Sequence, residues 1–321
     1  MSHEIFIGVD MAKDKFDVAL PQEKTYRYRQ FVSNKEGFKS FLTSLKQITL
    51  NEWVCMEATG HYSEVLAEYL THHGLKVSII NPWQIKNFAR LQLTRNKNDK
   101  VDARLIARYG QMMKPPVFQP RSASQKDLKD LVKLLDTLKA QKVQLNNQAQ
   151  STQGNIAKKV VATLLKELST NIAKLEQRLT NLVANEEKIY EQVTLLTSIK
   201  GIGHLTAYKI LAQVPRIEQY ARAKQFAAAI GITPKQHQSG KFQGKTTISR
   251  LGDARLRKAL YMAALVAKRY NPLLKSFAQR LQQRGKAPKA IICALMRKLA
   301  HIIFGVLKHR KPFDASFASN A

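Results

Sequence analysis

Between Arg121 and Lys200 the chain has no proline and one glycine, Gly154. Leucines recur at steps of three and four in LKDLVKLLDTLKAQKVQL and again in LLKELSTNIAKLEQRLTNLV, the spacing that lines one face of an α-helix. Little but long helix is open to such a stretch, and the polar QSTQGN between the two runs predicts an antiparallel helical hairpin, a coiled coil over residues 121–195. A hairpin of that kind holds together two domains or two copies of a chain, so a homo-oligomer, dimer or tetramer, is expected.

The residues before it follow a different rule. Apolar runs with strand character (IFIGVD, FDVAL, YRYRQFV, WVCMEA, LKVSIINP) are interleaved with amphipathic segments such as KEGFKSFLTSLKQ and SEVLAEYLTHHG. The pattern predicts an α/β domain over residues 1–115 whose sheet is covered on both faces. MMKPPVFQPRS, with three prolines, marks the boundary. Residues 196–321 form a third, mainly helical region. It carries KGIGHLTAYKIL, a polar glycine-bearing stretch TPKQHQSGKFQGKTTISR, and two helical segments around ALYMAALVAKRY and KAIICALMRKLAHIIFGVLK.

Lys and Arg number 53 against 23 acids, a formal charge of +30. An excess of this size points to nucleic acid or another acidic surface. It is concentrated late: from Tyr220 onward there are 21 Lys or Arg and two acids, Asp253 and Asp314. Cys55 and Cys293 both lie in apolar stretches with no CxxC or Cys/His cluster, so neither a disulfide framework nor a zinc site is indicated, and a reducing cytoplasm fits. The N-terminus is charged, and no stretch is expected to reach the ~18 apolar residues of a membrane span.

Four acids stand out. Asp10 ends IGVD and Glu57 ends WVCMEA, each at the carboxyl end of a predicted strand, where open α/β sheets keep their sites. Asp99 and Asp102, three apart, share a face of a predicted helix. Hard oxygen ligands suit Mg²⁺ or Mn²⁺, and two such ions clamp the attacking and leaving oxygens of a phosphodiester. Taken singly, each acid has a structural role open to it: Asp10 or Asp99 as helix cap, Asp102 in a first helical turn, Glu57 paired with a Lys or with His61. GVD also begins the actin and sugar-kinase class of ATPases, but MAKDKFD follows here where that class has a Gly/Thr-rich phosphate turn.

Arg95, Lys97, Lys100 and Arg104 flank the last two acids as candidates for holding a nucleic-acid strand. In the basic region, Gly201 and Gly203 resemble the turn of a helix-hairpin-helix, whose backbone N–H groups approach a phosphate. Lys241, Lys245, Arg250, Arg255 and Arg257 extend the cationic surface. Ser239, Thr246, Thr247 and Ser249 lie among these cations, and chemistry alone does not choose a nucleophile between Ser239 and Ser249.

GVDMAKDKFDVAL, CMEATGHY, INPWQIKNFA, RNKNDKVDARLIARY, the GIG turn, FAAAIGITPKQHQSG and LRKALYMAALVA, in this order, make nearly the whole chain similar to insertion-sequence transposases of the DEDD, Piv/MooV-like family, the IS-one-ten group. The resemblance implies a RuvC-like (RNase H-like) first domain, a coiled coil, and a C-terminal transposase domain with a catalytic serine. It assigns the metal-binding tetrad to Asp10, Glu57, Asp99 and Asp102 and the nucleophile to Ser239. It further implies donor and target DNA and a structured guide RNA as partners, with a transient phosphoserine link. Two other functions fit the residues: a RuvC-like nuclease or junction resolvase using the tetrad without serine chemistry, and a non-catalytic nucleic-acid-binding protein.

Overall fold

The computed structural model describes residues 4–23, 25–45, 52–93, 98–235, 238–239, 242–244 and 246–314. The chain divides into two compact units, Met1–Pro120 and Arg121–Ala321.

In the first unit, β1 (Ile5–Met11), β2 (Lys15–Pro21), β3 (Tyr26–Val32), β4 (Glu52–Glu57) and β5 (Lys76–Ile80) form one sheet in the order β3-β2-β1-β4-β5. The first three strands are antiparallel neighbours, whereas β4 runs parallel to β1 and β5 parallel to β4. Four helices accompany the sheet: α1 (Lys35–Leu45), α2 (His61–His72), α3 (Pro82–Leu91) and α4 (Asp99–Met113).

Side-chain alternation sorts the strands into two cores. Ile7, Val9 and Met11 of β1 join Val54 and Met56 of β4 in a core with Phe38 and Phe41 of α1 and Leu66 and Leu70 of α2. Phe6, Trp53 and Cys55 turn to the other face and pack with Ile85 and Phe88 of α3 and Leu105, Ile106 and Tyr109 of α4. Both faces of the sheet are thus covered, as the near-continuous apolar runs require. Each fully buried side chain such as Phe41 or Leu66 contributes about 1.5–3 kcal/mol.

The helix α4 lies unusually close to β1. A Cβ on Gly8 would overlap the Ala103 carbonyl oxygen and sit 2.5 Å from the Ala107 nitrogen. Glycine at this position is what lets the α4 backbone rest on the strand. The proline segment expected as a boundary is tied to this unit: Phe118 N donates to Val77 O at 2.6 Å, and Ser78 Oγ donates to the carbonyls of Pro115 and Pro116 at 3.1 and 2.8 Å. Its prolines end the helical pattern without releasing the chain.

The second unit holds the long helices α5 (Ala123–Ser151) and α6 (Asn155–Ala184), joined by Thr152–Gly154. Ser122 and Gln125 form a reciprocal capping box at the start of α5. Then come α7 (Glu187–Thr197), α8 (His204–Gln213), α9 (Ala223–Ile230), α10 (Ala254–Tyr270), α11 (Pro272–Gln283) and α12 (Pro288–His309). Two small ladders, β6 (Pro234–Lys235) with β9 (Thr247–Ile248) and β7 (Gln238–Ser239) with β8 (Phe242–Gln243), stand between α9 and α10 in the chain. Leu128 and Leu135 of α5, Leu175 and Leu179 of α6, Leu196 of α7 and Leu299 of α12 belong to one continuous core, which runs across the expected division between residues 195 and 196.

One expectation needs correcting. By length and composition α12 is apolar enough to cross a membrane. Here it is a core helix, with Ile291, Leu295, Leu299 and Ile303 among its buried residues. Arg297, Lys298 and His301 interrupt its apolar run and conceal that length from a residue-by-residue reading.

Candidate active site

The parity of the strands decides where the acids point. On β1, Asp10 falls on the same face as Phe6 and Gly8, the α4 face, and on β4 Glu57 shares that face with Trp53 and Cys55. The chain then returns over this face as α4, which begins at Asp99. Asn98, not Asp99, is the N-cap, its side chain accepting from Val101 N at 2.9 Å. That leaves Asp99 and Asp102 in the first helical turn, where unpaired N–H groups favour negative charge.

The four acids converge electrostatically on Asp10. Burial, followed by the charges of Asp102, Asp99, Glu57 and Asp17, pushes the Asp10 carboxyl up to about 7. Burial is the larger cause, and the neighbouring carboxylates at the carboxyl end of β1 add to it. Among the described residues, no three Asp, Glu, His or Cys side chains are drawn together as a ready-made coordination shell. The arrangement therefore gathers acids around one partly buried carboxyl without closing them onto a point.

Two members of this neighbourhood escaped the sequence reading. Asp17 faces Asp10 across the β1–β2 ladder and is buried, with both carboxylate oxygens accepting from Gln30 Nε2 at 3.0 and 3.1 Å. The signal was an acid inside the otherwise apolar strand FDVAL. Lys15 is the second: its Nζ lies 3.4 Å from Asp99 Oδ2 and 3.9 Å from Asp17 Oδ2. It sits two residues before Asp17 on the same face of β2, and its approach to Asp99 appears only once α4 is placed over the sheet.

Of the cations expected to hold a strand, Lys100 lies over the Tyr28 ring at 5.9 Å from its centroid, and Arg104 is exposed on α4. Arg104 and Arg108 both act on Tyr26, whose pKa is nonetheless raised because burial outweighs them. Arg95 and Lys97 lie outside the described residues.

In the second unit, Ser239 ends β7, is exposed, and pairs in register with Phe242. Lys241 and Lys245 fall outside the described residues. Ser249 is half-buried, and its N–H donates to Thr233 O at 2.9 Å. Arg250 is exposed and takes a positive φ of 57°, while Arg255 is exposed at the start of α10. Arg257 is engaged in the fold: its Nη1 donates to Ile230 O at 3.0 Å and Gly252 O at 2.9 Å.

The two glycines of the predicted hairpin part company. Gly203 is the N-cap position of α8 with open space around it. Gly201 has φ +113°, and a Cβ there would lie 2.6 Å from Ala267 Cβ on α10. Close packing against α10 thus accounts for Gly201, independently of any phosphate.

Comparison with known proteins fits this layout. Residues 193–279 match the family model described as Transposase IS116/IS110/IS902 family, and residues 7–153, which hold all four acids, match a DEDD-type transposase model. The chain is 33% identical to a pilin gene-inverting protein of Moraxella bovis over 96% of this chain and 97% of that one. It is 26% identical to the transposase for insertion sequence element IS1111A of Coxiella burnetii, over 96% of this chain and 90% of the other. A transposase for insertion sequence element IS1328 of Yersinia enterocolitica is 24% identical over 95% and 97% of the two chains. The protein belongs to the IS116/IS110/IS902 family of DNA transposases.

Proposed function

We propose that this transposase is a site-specific recombinase that cuts and rejoins DNA for the insertion sequence encoding it. The observation that carries this reading is the gathering of carboxylates around Asp10 at the carboxyl end of β1. Support also comes from the likeness to pilin gene-inverting proteins, since inversion of a gene requires both breakage and joining. The sheet order β3-β2-β1-β4-β5, with an antiparallel first half, supports an RNase H-like (RuvC-like) reading of the first unit.

The donor set fits a hard divalent cation. All its ligands are oxygens, and burial together with the neighbouring carboxylates discourages Asp10 from ionising. Asp10, Glu57, Asp99 and Asp102 would hold Mg²⁺ or Mn²⁺, which supplies Lewis-acid polarisation of a phosphodiester oxygen. In the second unit Ser239 Oγ attacks phosphorus. The Oγ–P bond forms as the hydroxyl proton is lost, and the P–O bond to the leaving strand breaks as that strand's oxygen takes up a proton. Rejoining reverses these transfers with a new strand end.

Under the same reading, Lys100, Arg104, Gly203, Arg250 and Arg255 grip donor DNA, target DNA and a structured guide RNA, and the working form is a homo-oligomer in a bacterial cytoplasm. Trapping the denatured reaction mixture tests the central step. A covalent protein–DNA adduct is expected in the parent and in Ser249→Ala and is lost in Ser239→Ala. Metal-dependent cleavage that persists without an adduct in Ser239→Ala would identify a nuclease and overturn the serine mechanism.

A further inference from the structure

The second unit contains a cavity of about 720 Å³ that shares only Arg250 with the residues of the candidate site described above. Its floor is apolar: Ile232, Ile248, Phe277, Ala290, Cys293 and Ala294. Arg250, Lys289, Arg297 and Lys298 add four cations, and no acid lines it among the described residues. The volume falls within the ~300–1,000 Å³ typical of small-ligand sites. A second hollow of about 360 Å³ shares Ile248, Lys289 and Cys293 with it and adds Arg257, Lys258 and the ring of Tyr261, again without an acid among the described residues.

Among the described residues, His301 lines the cavity and buries an Nε2 that has no hydrogen-bond partner. Leaving such an atom unpaired destabilises the free protein, so a ligand that bonds to it recovers that loss. Burial, and then the charges of Arg297, Lys298 and Lys224, hold the His301 pKa below its ordinary value. At neutral pH His301 therefore presents a neutral ring.

The lining suits an occupant with a largely apolar body, a hydrogen-bonding edge and negative charge. We propose that this cavity receives one nucleotide turned out of its stack, with its base against Phe277 and the apolar floor and its phosphate on Arg250, Lys289 and Lys298. The inference rests on the reading of the protein as a nucleic-acid recombinase. It adds that the C-terminal unit binds unpaired strand by a base pocket as well as by backbone charge.

The test uses the full chain and short single-stranded oligonucleotides, deoxy and ribo, each with one 2-aminopurine, beside matched blunt duplexes. Binding of a single strand should raise 2-aminopurine fluorescence several-fold as the base leaves its neighbours. The deoxy and ribo arms tell whether DNA or RNA supplies the nucleotide. Ala290→Trp, at an exposed lining position, should abolish the rise and weaken single-strand binding about tenfold while changing duplex binding less than about twofold. In the unmodified protein, single strand and not duplex should slow alkylation of Cys293, and Cys55, fully buried, serves as an unreactive internal reference. Fluorescence that stays flat, an equal loss for duplex in Ala290→Trp, or Cys293 alkylation indifferent to single strand overturns the pocket while leaving the recombinase reading intact. Failure of the parent to bind either nucleic acid overturns both.

Discussion

Asp10 is the residue on which the chemistry and the stability of the first unit disagree. Its folded pKa, about 7, lies above that of an unfolded aspartate, so between about pH 4 and 7 the folded state holds the extra proton. Stability therefore declines as pH rises through that window and levels off above it, the opposite of a salt-bridged aspartate. Asp10→Asn should abolish strand cleavage yet raise metal-free stability at pH 8 by roughly 1–2 kcal/mol after solvent screening. At pH 5 the gain should shrink, and urea midpoints in EDTA at the two pH values read the difference. A variant equally stabilised at both would show that the crowding of charge is not what burdens the site. Asp17 offers a companion case at the same scale: Asp17→Asn should lower the Asp10 pKa only slightly, because its charge is the smallest of the contributions to that shift.

At the scale of elements, backbone contact fixes what side chains then decorate. Gly8→Ala forces a Cβ into the Ala103 carbonyl and should displace α4 from β1 at a cost of about 1–3 kcal/mol, with cleavage lost along with it because Asp99 and Asp102 travel on the helix. Gly201→Ala combines a positive φ with a 2.6 Å contact to Ala267 and should cost about 2–4 kcal/mol in chemical denaturation. These elements were legible to different degrees. β1, β2, β4 and β5 could be read because each buries residues on both faces of the sheet, which leaves short apolar runs between polar turns, while α1 and α2 could be read from their one-sided apolar spacing and β3 from its alternation. α5 and α6 could be read because no proline and a single glycine, Gly154, fall between Arg121 and Lys200, whereas the break between α6 and α7 at Asn185 and Glu186 carries no such signal. The two-residue strands β6 to β9 could not, since a ladder that short has no period to display. Asp10, Glu57, Asp99 and Asp102 stood out by their ends-of-element positions, whereas Asp17 depends on a register between strands, Lys15 on the placing of α4, and the cavity near α12 on residues some seventy positions apart, Ile232 and His301.

The whole molecule is two compact units on one chain. Because the sheet unit and the helical unit each have their own hydrophobic cluster, guanidinium denaturation should proceed in two steps. Gly8→Ala should move only one step and Gly201→Ala only the other, and a single transition shifted by both would contradict the division. Charge acts at the same scale. With 21 Lys or Arg beyond residue 220 against two acids, nucleic-acid affinity should fall steeply with salt, and neutralising Arg255 should reduce the slope of log K against log salt by about one.

The tie between Phe118 and Val77 sets a timetable for biosynthesis. Every strand, helix and carboxylate of the first unit is in hand once the chain has been made to Phe118, about a hundred residues before the strongly basic stretch that opens near Tyr220. At ~5–20 residues per second that interval is on the order of 5–20 s, long enough for a domain to fold on the ribosome. The acidic face can therefore be assembled before most of the cations of the second unit exist.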